Sequence, residues 1–588
     1  MPKRNHYDVV VVGAGLAGLT LVRHLLLHTD KRVLLLEQRP GVPTPHQKYG
    51  ESSVQLSGYY FGKVLEMEEY LLYDQLPKYN LRFYWKSEER DNTQFEDFTQ
   101  MYIRVFSNIP RYQLDRNPFE GELARRNRLD PRCTFLCGMG GLEVKLAEAG
   151  AHTLSFDHRG RRRTVTADWA VDATGRVQFM AKRMELKRPS PVRHGATFFW
   201  VDGPVNIERL TDLSNKELRT KRDRAAIGHS QIWLATNHFC GEGFWFWVIP
   251  LKYKTSLGLV YDRAKVRQED VRTPEKLIEW VCREFPLFQR DLPKRKILDW
   301  SGLKDYAHDC GRVLSPERWA MSGEAGRFSD PLYSPGSDLI SLHNTIIVDA
   351  ITTSDPIALA GKCRLYEPLL RALYDAYIPS YDAGYDALGD PETMTLKYSW
   401  ELTIYFGFYV FPFINDMFTD PRFGVGFLKR FGRLGQVNRA LQQLLKDYFQ
   451  WKKAHGIRPA TPQFVDILEL APLARAEKCF YKVGLDPYEA LAVLDEQLQS
   501  LDEMARWVVA QVASGVLGEE EVLRNRQFVA GIDPAAAAFD PEAWERRWQA
   551  CRRSGEAHSW TFDPLILRRL SPGVAARAVQ PLVAGERS

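Results

Sequence analysis

Cysteine is scarce in this chain, and its spacing does not suit a metal or disulfide site. The 588 residues include eight dispersed cysteines, and the closest pair, Cys133 and Cys137, has no neighbouring histidine or second pair. Structural zinc sites take four Cys or His ligands, and disulfide-rich secreted domains are much shorter than this chain. We therefore predict no metal site and reduced thiols, as expected of a cytoplasmic protein.

Long hydrophobic runs and a strong charge of one sign are also missing. The longest apolar stretch, residues 403–414, spans about twelve residues, whereas a helix needs about 20 to cross a bilayer. Residues 1–7 are polar and lead into the first predicted strand, so we expect no secretory leader. The formal net charge is +5 with both signs interspersed, and the basic cluster at 159–163 is typical of a solvated hairpin turn. These observations exclude a membrane span and a nucleic-acid-binding surface.

The N-terminal segment has the pattern of a dinucleotide-binding unit. A short apolar run at residues 8–12 predicts a buried parallel strand, and the glycine-rich segment 13–18 follows it and opens a predicted helix. The glycines permit a tight turn, close approach of a pyrophosphate and close packing of the helix, whose N-terminus favours phosphate. A second predicted strand, residues 32–36, ends in an acid at the distance expected of a ribose-binding carboxylate. The predicted nucleotide contacts are Gly13, Ala14, Gly15, Gly18 and Glu37.

A strand with two tryptophans on one face is predicted at residues 244–249. Side chains alternate along a strand, so Trp245 and Trp247 share a face, and Pro250 ends or edges the strand. Such a face suits a packed core as well as the wall of a cofactor site.

These elements together resemble flavin-dependent halogenases, a tryptophan-halogenase-like branch of the FAD-dependent monooxygenase superfamily. Residues 245–250 match the family's WxWxIP signature, and residues 50–52 match its Gly-Glu-Ser segment. Segments 113–116, 172–175 and 322–331 resemble the superfamily's other FAD-contacting segments. The resemblance implies FAD as the cofactor. It assigns further cofactor contacts to Glu51, Ser52, Arg116, Asp172, Glu324 and Pro331.

Two of these matches are imperfect or have another interpretation. Glu324 stands where the superfamily usually has the shorter Asp, so its contact with the cofactor differs in reach by one methylene. Arg116 begins a predicted helix, and an exposed ion pair at the helix N-terminus is an equally good interpretation of it.

The resemblance also implies an α/β fold. We predict a Rossmann-type FAD-binding domain with an inserted antiparallel-sheet substrate domain and a helical C-terminal region. The predicted limits are 1–185 and 319–362 for the two parts of the FAD-binding domain, 186–318 for the substrate domain and 363–588 for the helical region. The predicted breaks between its helices are Pro421, Pro459, Pro462, Pro472 and Pro487.

The segment beginning at residue 76 resembles the part of the family that carries an essential lysine. It matches the family pattern at Lys78, Phe83 and Trp85, while Asn80 replaces a frequent glycine. In the family, reduced FAD and oxygen convert halide to hypohalous acid, which must then reach the substrate. An ammonium group can hold that species by a hydrogen bond or as a haloamine, and the pKa of lysine responds readily to burial. The resemblance therefore makes Lys78 the catalytic residue.

The expected halide site follows the second FAD segment. Ser334, Pro335 and Gly336 lie in a stretch that resembles the family's Phe-x-x-Pro-x-x-Ser-x-Gly motif beside the flavin. Backbone N–H groups hold the halide there in the family, and Pro335 has none to offer. The lost donor costs about 1.5–3 kcal/mol unless Gly336, Ser337 or the Ser334 hydroxyl replaces it. Tyr333 stands where tryptophan halogenases have a glutamate, which disfavours free tryptophan as the substrate.

The leading hypothesis is a cytoplasmic FAD-dependent halogenase acting on an electron-rich, aromatic small-molecule or carrier-tethered substrate. Trp245 and Trp247 would separate flavin from substrate and suppress direct hydroxylation. One glycine fingerprint is present, so we expect reduced flavin from a separate NAD(P)H-dependent flavin reductase, with halide as co-substrate. Residues 403–414 are interpreted as a buried helix or as a hydrophobic lid over the substrate. The alternatives are a monooxygenase or reductase with a defunct halide site, and a scaffolding subunit, which the intact glycines and Lys78 disfavour.

Overall fold

The computed structural model describes residues 5–105, 107–224, 231–458 and 461–570, and its N-terminal segment forms the predicted strand, helix and strand. The strand His6–Val12 leads through the glycine turn into the helix Leu16–His28, and the chain returns as the strand Val33–Glu37. The two strands pair in parallel, with Val9 opposite Val33. Residues 9–11 are fully buried, which explains why this run is apolar throughout rather than alternating.

The nucleotide sheet is built around these two strands, which belong to a set of five parallel strands. The long strand Arg161–Asp172 forms an antiparallel hairpin with the strand before it, and the turn lies at residues 159–160. The basic cluster at 159–163 is therefore at a hairpin turn, as predicted. In spatial order the strands are Leu314–Ser315, Trp319–Met321, Arg161–Asp172, His6–Val12, Val33–Glu37 and Cys133–Cys137. Off this path, His152–His158 pairs with Arg161–Asp172 on one side and with Met139–Lys145 on the other.

A second sheet of eight strands, called here the wall sheet, carries the two tryptophans. Five of its strands are antiparallel and come from residues 194–303, within the predicted substrate domain. The sheet extends past them through a parallel pairing of Thr236–Gly241 with Leu81–Trp85, so the segment after Lys78 is part of it. In spatial order its strands are Ile297–Leu303, His194–Asp202, Lys254–Asp262, Phe244–Pro250, Thr236–Gly241, Leu81–Trp85, Thr99–Tyr102 and Phe464–Asp466.

The C-terminal region is helical, with the short strand Phe464–Asp466 as an addition to the prediction. Pro421, Pro472 and Pro487 each stand in the first turn of a helix, where a missing N–H breaks no hydrogen bond. Pro459 lies outside the described residues. The principal helices from residue 335 onward are Pro335–Thr352, Pro356–Asp375, Pro391–Tyr405, Pro421–Ala454, Ala471–Cys479, Pro487–Leu517 and Pro541–Cys551.

Residues 403–414 lie in the interior as the end of the helix Pro391–Tyr405, a π-helical turn Phe406–Val410 and the short helix Phe411–Ile414. Within the described ranges, no helix combines the length and the apolar character needed to cross a membrane. The long C-terminal helices pack mainly against one another, and the helix Pro335–Thr352 contacts the first helix, Leu16–His28. That contact brings the predicted halide segment next to the glycine turn.

Candidate functional site

Each of the three glycines in the first turn is required for a different structural reason. Gly13 has a φ of +104°, and a side chain there would overlap the carbonyl oxygen of Ala173. A side chain on Gly18 would overlap the carbonyl of Gly13, so this glycine sets the approach of helix to turn. Around Gly15, in contrast, the space is open within 4 Å. Gly15 therefore leaves room for a ligand, while the other two shape the backbone.

Glu37 ties the end of the second strand to this turn. Its carboxylate accepts a hydrogen bond of 2.8 Å from the Ala14 N–H and further hydrogen bonds from Arg39, whose Nε lies 2.9 Å away. Burial raises the pKa of Glu37, and the hydrogen bonds from Arg39 and Ala14 reverse that effect and hold the pKa below its ordinary value. An ionised carboxylate thus faces the cleft beyond the turn. The Ala14 N–H donates to this carboxylate and is therefore not available to a ligand.

A long cleft, called here the nucleotide cleft, runs from the glycine turn across the ends of the parallel strands. Its lining includes four cationic side chains, which suit a diphosphate. Glu324 and Arg116 line both this cleft and the next cavity. The cationic residues of the cleft are Arg39, Lys48, Arg116 and Arg176.

Arg116 lies at that junction, in a partly buried position. Its Nε donates to Glu120 over 3.0 Å and its Nη1 donates to the Tyr49 carbonyl over 2.7 Å. Its side chain is 13% exposed, so the ion pair is not the surface pair that the alternative interpretation described. Glu324 accepts a hydrogen bond of 2.5 Å from the Tyr49 hydroxyl, and burial raises the pKa of Glu324.

The next space, called here the inner cavity, has the tryptophans of the wall sheet on one side. The rings of Trp245 and Trp247 lie 5.7 Å apart and are both buried. Their indole N–H groups are used elsewhere, since Trp245 donates to the Tyr385 hydroxyl over 2.6 Å and Trp247 donates to the Ser256 hydroxyl over 3.1 Å. The rings thus present apolar surface to the cavity, which suits an aromatic ring system.

The other predicted segments also line the inner cavity. Glu51 accepts a hydrogen bond of 2.8 Å from Trp200, and burial raises the pKa of Glu51 to about 7. Ser52 exchanges a hydrogen bond of 2.9 Å with Thr236. The predicted site residues that line the inner cavity are Glu51, Ser52, Arg116, Trp245, Trp247, Glu324, Pro331, Ser334 and Gly336.

Three predicted contact residues are turned away from these spaces. Ala14 and Gly18 shape the first turn as described. Asp172 is buried at the end of its strand, and its carboxylate accepts hydrogen bonds from the N–H groups of Thr174 over 2.8 Å and Met180 over 2.7 Å. Asp172 therefore holds the turn at 173–175 that lines the nucleotide cleft, rather than lining it.

The predicted halide segment forms a sharp turn into a helix. Tyr333 and Ser334 are both left-handed, with φ of +69° and +63°, and Pro335 is the first residue of the helix Pro335–Thr352. At this position a backbone N–H has no partner within the helix, so proline breaks no hydrogen bond but offers none to a ligand. Gly336 and Ser337 follow in the first turn, and their side of the segment faces the inner cavity.

Pro335 faces a different space, called here the lysine cavity, which also contains Lys78. Lys78 is fully buried, and its Nζ donates a hydrogen bond of 2.9 Å to the Ser53 carbonyl. Burial, with Arg111 nearby, holds the pKa of Lys78 well below its ordinary value. The turn at 334–337 therefore contributes to both cavities.

Several residues of the lysine cavity were not predicted from the sequence. Asp338 accepts hydrogen bonds from the Ser57 N–H over 2.9 Å and the Tyr405 hydroxyl over 2.8 Å, and burial raises its pKa to about 6. Arg111 donates to the Asn80 side chain over 2.7 Å. Glu401 enters from the helix Pro391–Tyr405. The apolar stretch at 403–414 gave a partial signal, since its residues Tyr405 and Phe406 line this cavity.

His238 is a further unpredicted residue, in the wall of the inner cavity. Its ring stacks on Phe83 with centroids 4.7 Å apart, and its Nδ1 donates to the Arg82 carbonyl over 3.0 Å. Burial lowers the pKa of His238 to about 3. The ring is therefore neutral, and its lone pair is on Nε2.

The fold and the arrangement of the site are similar to those of flavin-dependent halogenases. The crystal structure of halogenase PltM matches with a TM-score of 0.57 at 14% identity, covering 85% of this chain and 96% of that one. At that identity the match concerns the fold.

The chain is also similar in sequence to known halogenases. The chain is 25% identical over 457 residues to flavin-dependent halogenase chlA of Dictyostelium discoideum, covering 71% of this chain and 73% of that protein. It is 23% identical over 356 residues to tetracycline 7-halogenase of Kitasatospora aureofaciens, covering 56% of this chain and 60% of that protein. No protein-family model matches the chain. The resemblance to flavin-dependent halogenases predicted from the motifs is confirmed, and the monooxygenase or reductase alternative is not favoured.

Proposed function

We propose that this protein uses reduced FAD, oxygen and halide to halogenate an electron-rich aromatic substrate, with Lys78 guiding the hypohalous acid to the ring. One observation carries the proposal. A fully buried lysine with a lowered pKa lies in a cavity that shares the turn at 334–337 with the tryptophan-walled cavity beside the nucleotide cleft. Similarity to flavin-dependent halogenase chlA supports the same chemistry.

The residues present fit FAD. The open space at Gly15 and the cationic lining of the nucleotide cleft suit the diphosphate, and Trp245 and Trp247 offer apolar surface to a flavin ring. One crystal structure of PltM contains FAD together with phloroglucinol, and the fold of this chain is similar, with a TM-score of 0.55. When bound, FAD would supply the oxidation of halide to hypohalous acid.

Lys78 would act after that oxidation. Its lowered pKa allows it to exchange a proton more readily than an exposed lysine does. The hydrogen bond to the Ser53 carbonyl holds the Nζ at one place in the cavity. A group fixed in this way can present a small electrophile to one carbon of a ring rather than releasing it to solvent.

The turn at 334–337 is the proposed halide site. Gly336 and Ser337 offer N–H groups in the first turn of a helix, where the helix dipole favours an anion. Pro335 offers no N–H, so this site has one donor fewer than a non-proline residue would allow. We therefore expect a functional site with a low affinity for halide.

Replacing Pro335 by threonine should tighten the halide dependence of the reaction. The new N–H adds one donor to an anion, which is worth about 1.5 kcal/mol or about tenfold in the apparent halide constant. Steady-state halogenation across a bromide series measures this constant. Pro356→Thr is the matched control, because Pro356 is an exposed first residue of the following helix. Equal halide constants for wild type and Pro335→Thr would argue against halide binding at this turn.

We propose that the electrons come from a separate NAD(P)H-dependent flavin reductase. The chain has one glycine fingerprint, and its cleft begins at that fingerprint. Purified protein with bound FAD should therefore show no rapid bleaching of the flavin absorbance when NADPH is added alone. Addition of a flavin reductase should then bleach it. Fast bleaching by NADPH without the reductase would contradict this expectation and favour a single-component oxygenase.

Halide incorporation tests the proposed function directly. The purified protein, a flavin reductase, FAD, NADPH and phloroglucinol are incubated with chloride or with bromide. Mass spectrometry should show the isotope pattern of the halide supplied, attached to the ring. Oxidation of the reduced flavin at a rate indifferent to both halides across millimolar concentrations, without halogenated product, would contradict the proposal.

A further inference from the structure

Asn80 follows Lys78 closely in the chain and has a backbone conformation that few residues adopt. Its φ is +67°, in the left-handed region where glycine is unstrained and asparagine is tolerated better than most residues. This explains why glycine suits the position and why asparagine can replace it. The backbone is fixed to the wall sheet, since the Thr236 N–H donates to the Asn80 carbonyl over 3.2 Å. The Asn80 side chain therefore lines the lysine cavity from a rigid base.

The Asn80 amide connects separate parts of the chain at the edge of this cavity. Its Oδ1 accepts a hydrogen bond of 2.7 Å from Arg111, which fixes the orientation of the amide, because a guanidinium can only donate. Its Nδ2 therefore lies on the other side and donates to the carbonyls of Ile103 over 2.9 Å and Val105 over 3.1 Å. Arg111 and Ile103 line the lysine cavity together with Asn80. One amide thus holds both carbonyls in place.

Residues 103–105, called here the outer segment, run from the lining of the lysine cavity to the surface. The strand Thr99–Tyr102 before them is buried in the wall sheet. Ile103 is half-buried in the cavity lining, and Val105 is 57% exposed. The outer segment therefore separates this side of the cavity from solvent, and the Asn80 amide decides how closely it approaches the cavity.

We propose that Asn80 is a positioning residue that holds the outer segment over the lysine cavity and so keeps hypohalous acid beside Lys78. This inference rests on the proposed halogenation. Hypohalous acid is small and diffusible, so a guiding lysine is effective only where the acid cannot pass into solvent. Loss of both hydrogen bonds from the amide should raise the population in which the outer segment is open by about tenfold.

Access of a small reagent to Lys78 tests this role without any substrate. Cyanate reacts with the amine form of lysine, so an accessible Lys78, whose pKa is lowered, would react faster than an exposed lysine. In the wild-type protein with bound FAD we expect slow carbamoylation of Lys78 and fast carbamoylation of exposed Lys63, measured by peptide mass spectrometry. Asn80→Gly should raise the Lys78 rate about tenfold and leave the Lys63 rate unchanged. An unchanged Lys78 rate in folded Asn80→Gly would overturn the inference.

Asn92→Gly is the matched control. Asn92 also has a left-handed backbone, with a φ of +56°, and its amide donates to the carbonyls of Ser87 over 3.0 Å and Arg90 over 2.7 Å. These hydrogen bonds lie within the loop that follows the strand Leu81–Trp85. The two variants lose the same kind of contact, and glycine strains neither backbone. Asn92→Gly should leave the carbamoylation rates as in wild type. An equal rise in both variants would show general loosening and contradict the role of Asn80.

Partition of the halogen tests retention of hypohalous acid. The protein, a flavin reductase, FAD, NADPH, bromide and phloroglucinol are combined with an excess of a cyclic diketone coupled to dextran. The dextran is too large for the cavity, so the diketone traps acid that has escaped. Wild type should brominate mainly phloroglucinol, whereas Asn80→Gly should shift the product ratio about tenfold towards the diketone. Equal ratios in the two proteins, or bromination of the diketone alone by wild type, would overturn retention.

Failure of the proposed function has a different result. If wild type brominates neither acceptor, the proposed halogenation fails and retention fails with it, while the cyanate rates still decide whether Asn80 holds the outer segment.

A second variant guards against misfolding of Asn80→Gly, and circular dichroism and FAD affinity are measured for both. Asn80→Asp tolerates the left-handed backbone and keeps an acceptor for Arg111, but its ionised carboxylate has no N–H to donate. It should shift the product ratio towards the diketone as Asn80→Gly does. A wild-type product ratio in folded Asn80→Asp would contradict the role of the amide.

Discussion

Replacing Lys78 by alanine should abolish aryl halogenation while leaving FAD binding near normal. Lys78 lies in the lysine cavity, whereas the nucleotide cleft and the inner cavity are lined by other residues. We expect the halogenation rate to fall on the order of 1,000-fold, in the range for removal of a positioned proton-transfer group. Oxidation of the reduced flavin should continue, because the lysine acts after it. The measurements are product mass spectrometry and stopped-flow flavin absorbance.

Two controls separate this role from packing. Lys78→Met fills the buried position with an apolar side chain, and it should fold as well as wild type or better, since a buried polar group is removed. It should be as inactive as Lys78→Ala. Lys63→Ala removes an exposed lysine that pairs with Glu68 and should leave activity unchanged. Halogenation by Lys78→Met at a tenth of the wild-type rate or more would contradict the proposed role, given the expected loss of about 1,000-fold.

Replacing Gly15 by valine should eliminate FAD binding in a folded protein. Gly15 has an extended backbone that other residues adopt, and the space around its missing side chain is open within 4 Å. The valine side chain would occupy the approach to the glycine turn and exclude the diphosphate. Affinity should weaken by about 100-fold or more, the equivalent of about 3 kcal/mol. Quenching of FAD fluorescence during titration measures this loss.

Gly18 provides the matched contrast. A side chain there would overlap the Gly13 carbonyl, so Gly18→Ala should destabilise the fold itself, by about 1–3 kcal/mol for an overpacked interior site. Chemical denaturation should therefore distinguish the two variants, with Gly15→Val near wild-type stability. Normal FAD affinity in folded Gly15→Val would rule out the nucleotide cleft as the FAD site.

The sequence was sufficient where the determinants are local. The strand, glycine turn, helix and second strand follow from apolar runs and glycine spacing, and the structure places them at His6–Val12, Leu16–His28 and Val33–Glu37. The shared face of Trp245 and Trp247 follows from the two-residue period of a strand. The missing donor at Pro335 is a covalent property of proline. Each of these statements depends on residues close together in the chain, so their pattern is visible without a fold.

Tertiary structure decided the remainder of the site. Asp172 was predicted as a contact residue, but its position at the strand end directs its carboxylate to neighbouring N–H groups. Glu401 reaches the lysine cavity from more than 300 positions along the chain beyond Lys78. Contacts of such large separation have no periodicity in the sequence. Lys78 is buried, donates to the Ser53 carbonyl and has a lowered pKa because it lies in an enclosed space. Packing of the C-terminal helices over the turn at 334–337 creates that space.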